Sequence, residues 1–389
     1  MLVNYLHHLQ EASVPRAEPF RGASVLEDAL PTPFAYVDVD VLARNLDAMA
    51  AAAAGAGLAL RPHVKTHKLA AIARCQLELG AAGLTTATLG EAEALVAAGV
   101  ETSYLIAHPF WSHAQVERFA ALARTTEAIA CVDSVEGARR ISDAARASGE
   151  TLAVSLIVDT GYHRFGVEPE QALALAQAVA ALPGLRLHGI RSHAGHAYGK
   201  RELDVRRRIE REEIAAMTDA AERIRGAGIE LPSVSIGSTP GARAIVEAGT
   251  LGAVDEMRPG NYCFYDRQQV SMGAAGFEEC ALTVVASVVS HPRPGVAILD
   301  AGKLTLSSTD DPLAPGYGRV RQQPDALVAT LSQECATVER AGEPLQLGAR
   351  VSIVPNHACE ITNLAPLVWF GSGGRLDGAW EPEAARRSS

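Results

Sequence analysis

Short apolar runs alternate with helix-length amphipathic runs through the first two thirds of the chain. Phe34 to Val39 reads as a strand and is followed by an Ala-rich helical run from Leu42 to Ala54. Leu58 to Val64 is the next strand and leads into a helical run from Leu69 to Leu79. Leu84 to Leu89 precedes a helix starting near Glu91, Tyr104 to Ala107 one near His113, and Ala128 to Val132 one near Val135. Leu152 to Val158, Leu185 to Ser192 and Val234 to Ile236 continue the pattern, each followed by a helical stretch. Strand and helix alternating in this way imply parallel strands with crossover helices. Eight such units are complete by Ile236, and Val254 to Met257 follows the helix at Ala242 to Ala248 as a ninth candidate strand. A closed (β/α)8 TIM-like barrel holds eight, so one candidate lies outside it or is misread; an open doubly wound sheet is the alternative architecture.

After Asp266 the texture changes. Ala281 to Ser290, Gly295 to Leu299, Ala326 to Leu331 and Arg350 to Pro355 are β-branched runs separated by Pro and Gly, without long helices, as in an all-β domain. The division expected is a barrel over 30–268, a β domain over 269–375 joined by an N-terminal arm of residues 1–29, and a polar, fraying tail over 376–389.

A length of 389 residues with 48% hydrophobic content supports real cores. The net charge of -10 argues against nucleic acid or an anionic membrane surface as a partner, and the cluster Arg206, Arg207 and Arg208 reads as the wet face of a helix. The six cysteines lack the spacing of a zinc ribbon or a disulfide framework and fit a reducing cytosol. No secretory signal is visible, and the longest uncharged run, Ala48 to Leu60, is too short to span a bilayer, so the expectation is a cytoplasmic protein.

Candidate chemistry gathers at strand ends. Lys65, in Arg61-Pro62-His63-Val64-Lys65-Thr66-His67-Lys68, falls where a strand gives way to a βα loop, the place where a parallel barrel keeps its catalytic groups. A lysine among apolar residues and near other cations has its ammonium form disfavoured and is available as an amine for a Schiff base; a solvated lysine at a loop edge is the plain alternative. Arg164 lies in the Gly-flanked loop of Val158-Asp159-Thr160-Gly161-Tyr162-His163-Arg164-Phe165-Gly166, where a guanidinium could hold a phenolate or carboxylate or form a surface salt bridge. His188, His193 and His196 bracket the next strand end, with Tyr198 beside them. Ile236-Gly237-Ser238-Thr239-Pro240-Gly241 reads as a phosphate cradle at a helix N-terminus, or as an ordinary capped turn. Arg258-Pro259-Gly260-Asn261-Tyr262 could supply a second contact to the same anion. Far downstream, His357 and Cys359 stand two apart on a segment read as extended, so that both side chains share a face; imidazole with thiolate suits zinc.

Together these segments resemble the D-serine dehydratase and D-threonine aldolase family of the alanine-racemase-like, fold type III pyridoxal-phosphate enzymes. The resemblance spans residues 30 to 370 and rests on RPHVKTHK, TLGEAEAL (Thr88 to Leu95), VDTGYHRFGV, SHAGHAYG, GSTPG, RPGNY and VPNHAC occurring in the family's order. It implies a barrel followed by a β domain that the N-terminal arm joins, paired as a homodimer. It also implies that Lys65 carries pyridoxal 5'-phosphate as a Schiff base, His193 stacks on the pyridine ring, Arg164 bonds its phenolic oxygen and Tyr198 faces its nitrogen. Gly237, Ser238 and Thr239, with Gly260 and Asn261, would hold the phosphate; Thr88 and Tyr262 are further cofactor candidates. His357 and Cys359 would bind a divalent metal, Zn2+ ahead of Mn2+ or Mg2+, because the family's aldolases more often place an aspartate where Cys359 stands.

The activity implied is that of a lyase on small D-β-hydroxy amino acids, giving a 2-oxo acid and ammonia as a dehydratase, or glycine and an aldehyde as an aldolase. An amino-acid racemase, a non-catalytic pyridoxal-phosphate carrier and a plain metal-binding protein are the rivals. The pair His357 and Cys359 argues against the racemase, and the second domain against the carrier. One departure stands out: where the dehydratases have Gln-Glu-His-Gly, this chain reads Gln333-Glu334-Cys335-Ala336. That makes Cys335 an extra candidate thiol, with a buried structural cysteine as the simpler reading.

Overall fold

The computed structural model describes residues 7–247, 251–340 and 345–388. Ala248 of the expected helix, residues 1–6 of the arm and Ser389 of the tail lie outside the described residues. The chain divides into two compact units, one drawn from residues 49–65, 76–260 and 387–389, the other from residues 1–48, 66–75 and 261–386. Among the described residues no helix is long and apolar enough to cross a membrane.

The first unit is the barrel. Its eight parallel strands are Ala59–Leu60, Leu84–Thr86, Tyr104–Ile106, Ala128–Val132, Leu152–Ile157, Leu185–Arg191, Ser233–Ile236 and Glu256–Met257. They follow one another in chain order; the last pairs with the first at Glu256 and Ala59, and a parallel bridge between His63 and Thr85 joins the first to the second. The ring is therefore a (β/α)8 barrel rather than an open sheet. Ala128–Val132 and Leu152–Ile157 are buried at every position, which is why they read as continuous apolar runs: parallel strands are covered on both faces.

The helices are specified just as locally. Val135–Ser148 buries Ala138, Ile141, Ser142 and Ala145, the i, i+3, i+4, i+7 stripe of one helix face. It starts where the Ser134 hydroxyl accepts the Gly137 N–H, and it stops at Gly149, whose φ of 71° suits a residue without Cβ. Burying Ile141 contributes about 1.5–3 kcal/mol, and Ser134→Ala would cost about 1 kcal/mol by stranding the cap. Inside the barrel Arg61 donates to Glu256 at 2.7 Å and to the Ser103 hydroxyl at 2.7 Å, tying the first strand to the last.

The helix Leu203–Gly226 departs from its expected surface character. Arg206 is buried and donates to the carbonyls of Lys200 and Arg201 at 2.8 and 2.9 Å, while Arg208 is exposed. Glu210 and Glu213, on the same helix, are also buried. Of the three arginines read as a wet face, Arg206 turns inward while Arg207 is half-buried and Arg208 exposed.

The second unit holds a nine-stranded sheet. Leu282–Arg293, Val296–Leu299, Ala336–Glu339, Leu327–Leu331, Gly318–Val320 and Arg350–Pro355 pair in that order and return to Leu282–Arg293, closing a small antiparallel barrel. Phe34–Asp38, counted from sequence among the barrel units, lies here instead, antiparallel to Leu282–Arg293 and parallel to Val368–Gly371. It is the surplus candidate among the nine strands. The described part of the arm packs onto this sheet through Ala17, Val25 and Leu30, with Phe20 edge-on to Trp369 at 5.4 Å. The segment expected as a fraying tail is ordered as well: Gly378–Trp380 pairs with Val368–Gly371, and Trp380 stacks on Phe370 at 4.1 Å. Two large aromatic surfaces outweigh the polar neighbours that made this stretch look solvated.

Candidate cofactor and metal sites

In the barrel unit Lys65 stands where the first strand ends. The chain leaves Leu60, His63 donates its N–H to the Pro259 carbonyl at 3.0 Å, and a single turn, Val64–Thr66, then carries the lysine. Wholly buried Val64 anchors that turn, and Lys65 itself is half-buried. Around it the imidazoles of His63, His108 and His193 are all held neutral. Burial comes first in each case, pushing His108 down to about 4 and His193 to about 3, and His63 well below its usual value. The charged side chains acting on them are Lys65, Arg164, Arg191 and Arg258, all cationic. A pocket that keeps its histidines neutral and its fixed charges positive is built for an anion.

The loop that carries Arg164 is folded by Asp159, whose Oδ1 accepts the N–H groups of Gly161, Tyr162 and His163 at 2.9, 2.9 and 3.1 Å. Burial opposes the charge on that carboxylate, but the three backbone donors outweigh it and hold its pKa below the usual value. Gly166 is required because a Cβ there would meet the Asp159 nitrogen at 2.7 Å. Arg164 is exposed on the rim, 4.8 Å above the Tyr162 ring and 5.1 Å from that of Phe165. Tyr162, Arg164, Arg191 and His193 line one small pocket.

Beside it, His193 Nδ1 lies 3.3 Å from the Gly237 carbonyl, and the His193 and Tyr198 rings are 6.4 Å apart. Gly237 takes a φ of 115°, and Thr239–Glu247 begins two residues on. The Ser238 hydroxyl accepts the Gly241 N–H at 3.3 Å, and Thr239 Oγ1 accepts the Gly260 N–H at 3.2 Å, so the two segments expected to share a phosphate are held together. A glycine turn at a helix N-terminus, with hydroxyls beside it and cations around it, fits a phosphate ester. Thr88 caps Leu89–Ala97 by accepting the Glu91 N–H and donates to the Arg387 carbonyl at 2.5 Å.

Behind this surface Arg258, first of the segment read as a second anion contact, is buried and pushed down to about 10 by burial and then by Arg191; it donates to the Ser235 hydroxyl and the Ser192 carbonyl. The Ser192 hydroxyl donates to Glu213 at 2.6 Å, and the Ala194 N–H bonds to the same carboxyl. Glu210, three residues back on the helix, is buried beside Glu213 and packs against Gly241, where a Cβ would lie 2.0 Å from its Oε1. Two neighbouring buried carboxyls disfavour double ionisation, and burial raises both, so the pair favours holding a proton.

In the second unit, His357 and Cys359 follow the strand Arg350–Pro355. The buried Asn356 fixes the turn by accepting from Arg267 at 2.8 Å and donating to the carbonyls of Thr309 and Gly316 at 2.9 and 2.8 Å. His357 is extended, with φ −138° and ψ 108°, but Cys359 sits in the first turn of the helix Ala358–Leu364, so the two do not share a strand face as expected. The reason is local: Ala358 donates its N–H to Asp266 Oδ2 at 3.0 Å and starts the helix.

Asp266 is fully buried. Its Oδ2 lies 3.3 Å from His357 Nδ1 and also accepts from Asn261 Nδ2 at 2.5 Å. That leaves Nε2 as the ring nitrogen for a metal. Cys359 Sγ is 3.2 Å from the Thr66 hydroxyl and 3.9 Å from Asn261 Nδ2. Burial opposes charge on His357, yet Cys359 and Asp266 outweigh it and hold the imidazole well above its usual value. A buried place that draws positive charge between nitrogen and sulfur donors fits a divalent cation. Cys263 stays a thiol, raised by burial and by Cys359. Tyr262 is buried in the turn Asn261–Cys263. Cys335, expected as buried, is half-buried in the turn that closes on Ser332.

Comparison with known proteins gives a consistent picture. Residues 37–268 match the family described as alanine racemase, N-terminal domain, and residues 281–370 match the putative serine dehydratase domain. The chain is 35% identical to the D-threo-3-hydroxyaspartate dehydratase of Delftia sp. (strain HT23), over 85% of this chain and 91% of that one. It is 31% identical to the D-threonine aldolase of an Arthrobacter species, over 91% and 92%. A solved D-threo-3-hydroxyaspartate dehydratase, a cysteine-to-alanine mutant in the metal-free form, superposes with a TM-score of 0.85 at 33% identity, covering 92% of this chain and 98% of that one.

Proposed function

We propose that this chain, which belongs to the alanine racemase N-terminal domain family and continues into a serine dehydratase domain, is a pyridoxal-phosphate- and zinc-dependent lyase that dehydrates a D-β-hydroxy amino acid to a 2-oxo acid and ammonia. The observation that carries this reading is Lys65 on its turn at the barrel strand end, ringed by neutral His63, His108 and His193 and by cations.

Each residue has a role in this reading. Lys65 supplies the amine that links the cofactor and afterwards the base that takes the α-proton onto Nζ. His193, neutral at working pH, offers a flat uncharged face to the pyridine ring. Arg164 and Tyr198 address its phenolic oxygen and its nitrogen. Gly237, Ser238, Thr239, Gly260 and Asn261 hold the phosphate, and Tyr262 is a further cofactor contact. When bound, the cofactor supplies an electron sink for the pair left on Cα. Zinc at His357 Nε2 and Cys359 Sγ supplies a Lewis acid for a hydroxyl. Zinc is favoured over Mn2+ or Mg2+ by the thiol donor.

A second reading, aldol cleavage to glycine and an aldehyde, is kept by the 31% identity to a D-threonine aldolase. The reading also includes a cytoplasmic homodimer. Light scattering tests the pairing, and cell fractionation tests the location.

The deciding experiment is a product assay on D-serine, D-threonine and D-3-hydroxyaspartate, with and without chelator. A 2-oxo acid and ammonia that vanish with chelator and return with zinc are expected; glycine would move the protein to the aldolase branch. Neither product, with bound cofactor still absorbing in the visible, would leave only cofactor binding. Lys65→Ala should abolish both that absorbance and turnover.

A further inference from the structure

Thr66 follows Lys65 in the turn Val64–Thr66 and is wholly buried. Its side chain and its backbone both meet the helix Ala358–Leu364. Thr66 Oγ1 lies 3.2 Å from Cys359 Sγ, and the Thr66 carbonyl accepts the Thr362 hydroxyl at 2.6 Å. Thr362 also contacts the Cys359 carbonyl at 3.3 Å. The helix turn that bears Cys359 is thus seated on Thr66 by one bond to backbone and one to sulfur.

A metal-bound thiolate has no proton to give, so in the loaded state Thr66 must be the donor. We propose that Thr66 is a positioning residue for the metal: its hydroxyl donates to Cys359 Sγ, fixes the direction of the sulfur lone pairs and withdraws charge from the thiolate, as Asp266 orients His357 from the other side. This rests on the reading of His357 and Cys359 as metal ligands. A hydroxyl serving only to satisfy its own burial would leave the metal's spectrum and affinity unmoved, which separates the two roles.

The test uses the full chain with pyridoxal phosphate, loaded with Zn2+ or Co2+. Zinc affinity is measured by chelator competition, and the cobalt form is scanned for its thiolate charge-transfer band. Thr66→Val removes the hydroxyl at nearly constant volume and should weaken zinc binding about tenfold, within the range for lost ligand partners, and shift the cobalt band. Thr66→Ser should restore both. Thr362→Val removes the companion bond without touching the sulfur and should leave the band in place.

Wild-type affinity and an unmoved band in Thr66→Val would overturn the proposal, as would an equal shift in Thr362→Val, which would report loosening of the helix instead. Should Thr66→Val not fold, Thr66→Ala carries the same comparison. Failure of the wild type to take up either metal would overturn the metal reading itself, and is distinguishable because all variants would then read alike.

Discussion

The Ser192 hydroxyl donates to the Glu213 carboxyl at 2.6 Å, and the residue after Ser192 is His193. The strand-end loop that aims the imidazole is therefore tied to the middle of a helix, at a carboxyl wholly removed from water. Glu213→Ala would strand the Ser192 hydroxyl and the Ala194 N–H, at about 1–3 kcal/mol for each buried group left without a partner. Glu210→Gln should cost less than about 1 kcal/mol, because a neutral amide of the same shape leaves both of those bonds in place. Urea unfolding of the two variants checks the order, and a larger loss in Glu210→Gln would contradict it.

The same pair shapes the alkaline side of the stability profile. Glu210 and Glu213 bind a proton more tightly folded than unfolded, so their contribution is fully present below the ordinary value of 4.5 and is lost as pH rises through the raised folded values. Melting temperature should fall over that rise in the wild type, and Glu210→Gln should flatten the slope.

On the acid side the histidines act in the opposite sense. His193, pushed down to about 3, and His108, pushed down to about 4, bind protons more weakly folded than unfolded. Stability is therefore present above 6.5 and is lost as pH falls from there towards those values. His193→Phe keeps an aromatic face without a titrating group and should reduce the loss of melting temperature between about pH 6 and 4; if His193 stacks on the cofactor, His193→Ala should release it more readily in gel filtration.

Arg61 and Glu256 form an ion pair whose side chains are each 6% exposed. Removing one partner leaves a buried charge alone, so Arg61→Ala should cost about 3–5 kcal/mol. The double replacement Arg61→Met with Glu256→Met should recover most of that loss, which chemical denaturation of the single and double variants would show.

Gly237 takes its φ of 115° where a side chain is strained. Gly237→Ala should cost about 1–3 kcal/mol. If the same loop holds the phosphate, cofactor affinity should drop about tenfold for each 1.4 kcal/mol the strained loop withholds from binding. Fluorescence titration of the apoprotein with pyridoxal phosphate measures it.

What was legible in the sequence was whatever is local. The barrel strands declared themselves because residues such as Ala128–Val132 are covered on both faces, and the turn at Gly237 because glycine and hydroxyl residues stand at a helix start. What failed depended on distant partners. Phe34–Asp38 has the same apolar texture as a barrel strand, and nothing within it says which sheet it joins. Cys359 left the expected extended geometry because Asp266 accepts the N–H of the residue before it and starts the helix there. Arg206 read as solvated helix charge, but the carbonyls of Lys200 and Arg201 take up its guanidinium within the fold. Thr66 was in plain view beside Lys65, yet its sulfur partner is read only in three dimensions.

The place of Phe34–Asp38 has a consequence for how the protein is made. It lies in its sheet between Leu282–Arg293 and Val368–Gly371, so neither neighbour exists when it leaves the ribosome. All eight barrel strands are synthesised before the first of those partners, and the barrel can close while this early strand waits as an apolar ribbon with open hydrogen-bonding edges. A chain truncated before residue 282 would lack both partners of this strand and leave its hydrogen-bonding edges open, which makes the segment a point of aggregation in truncated products.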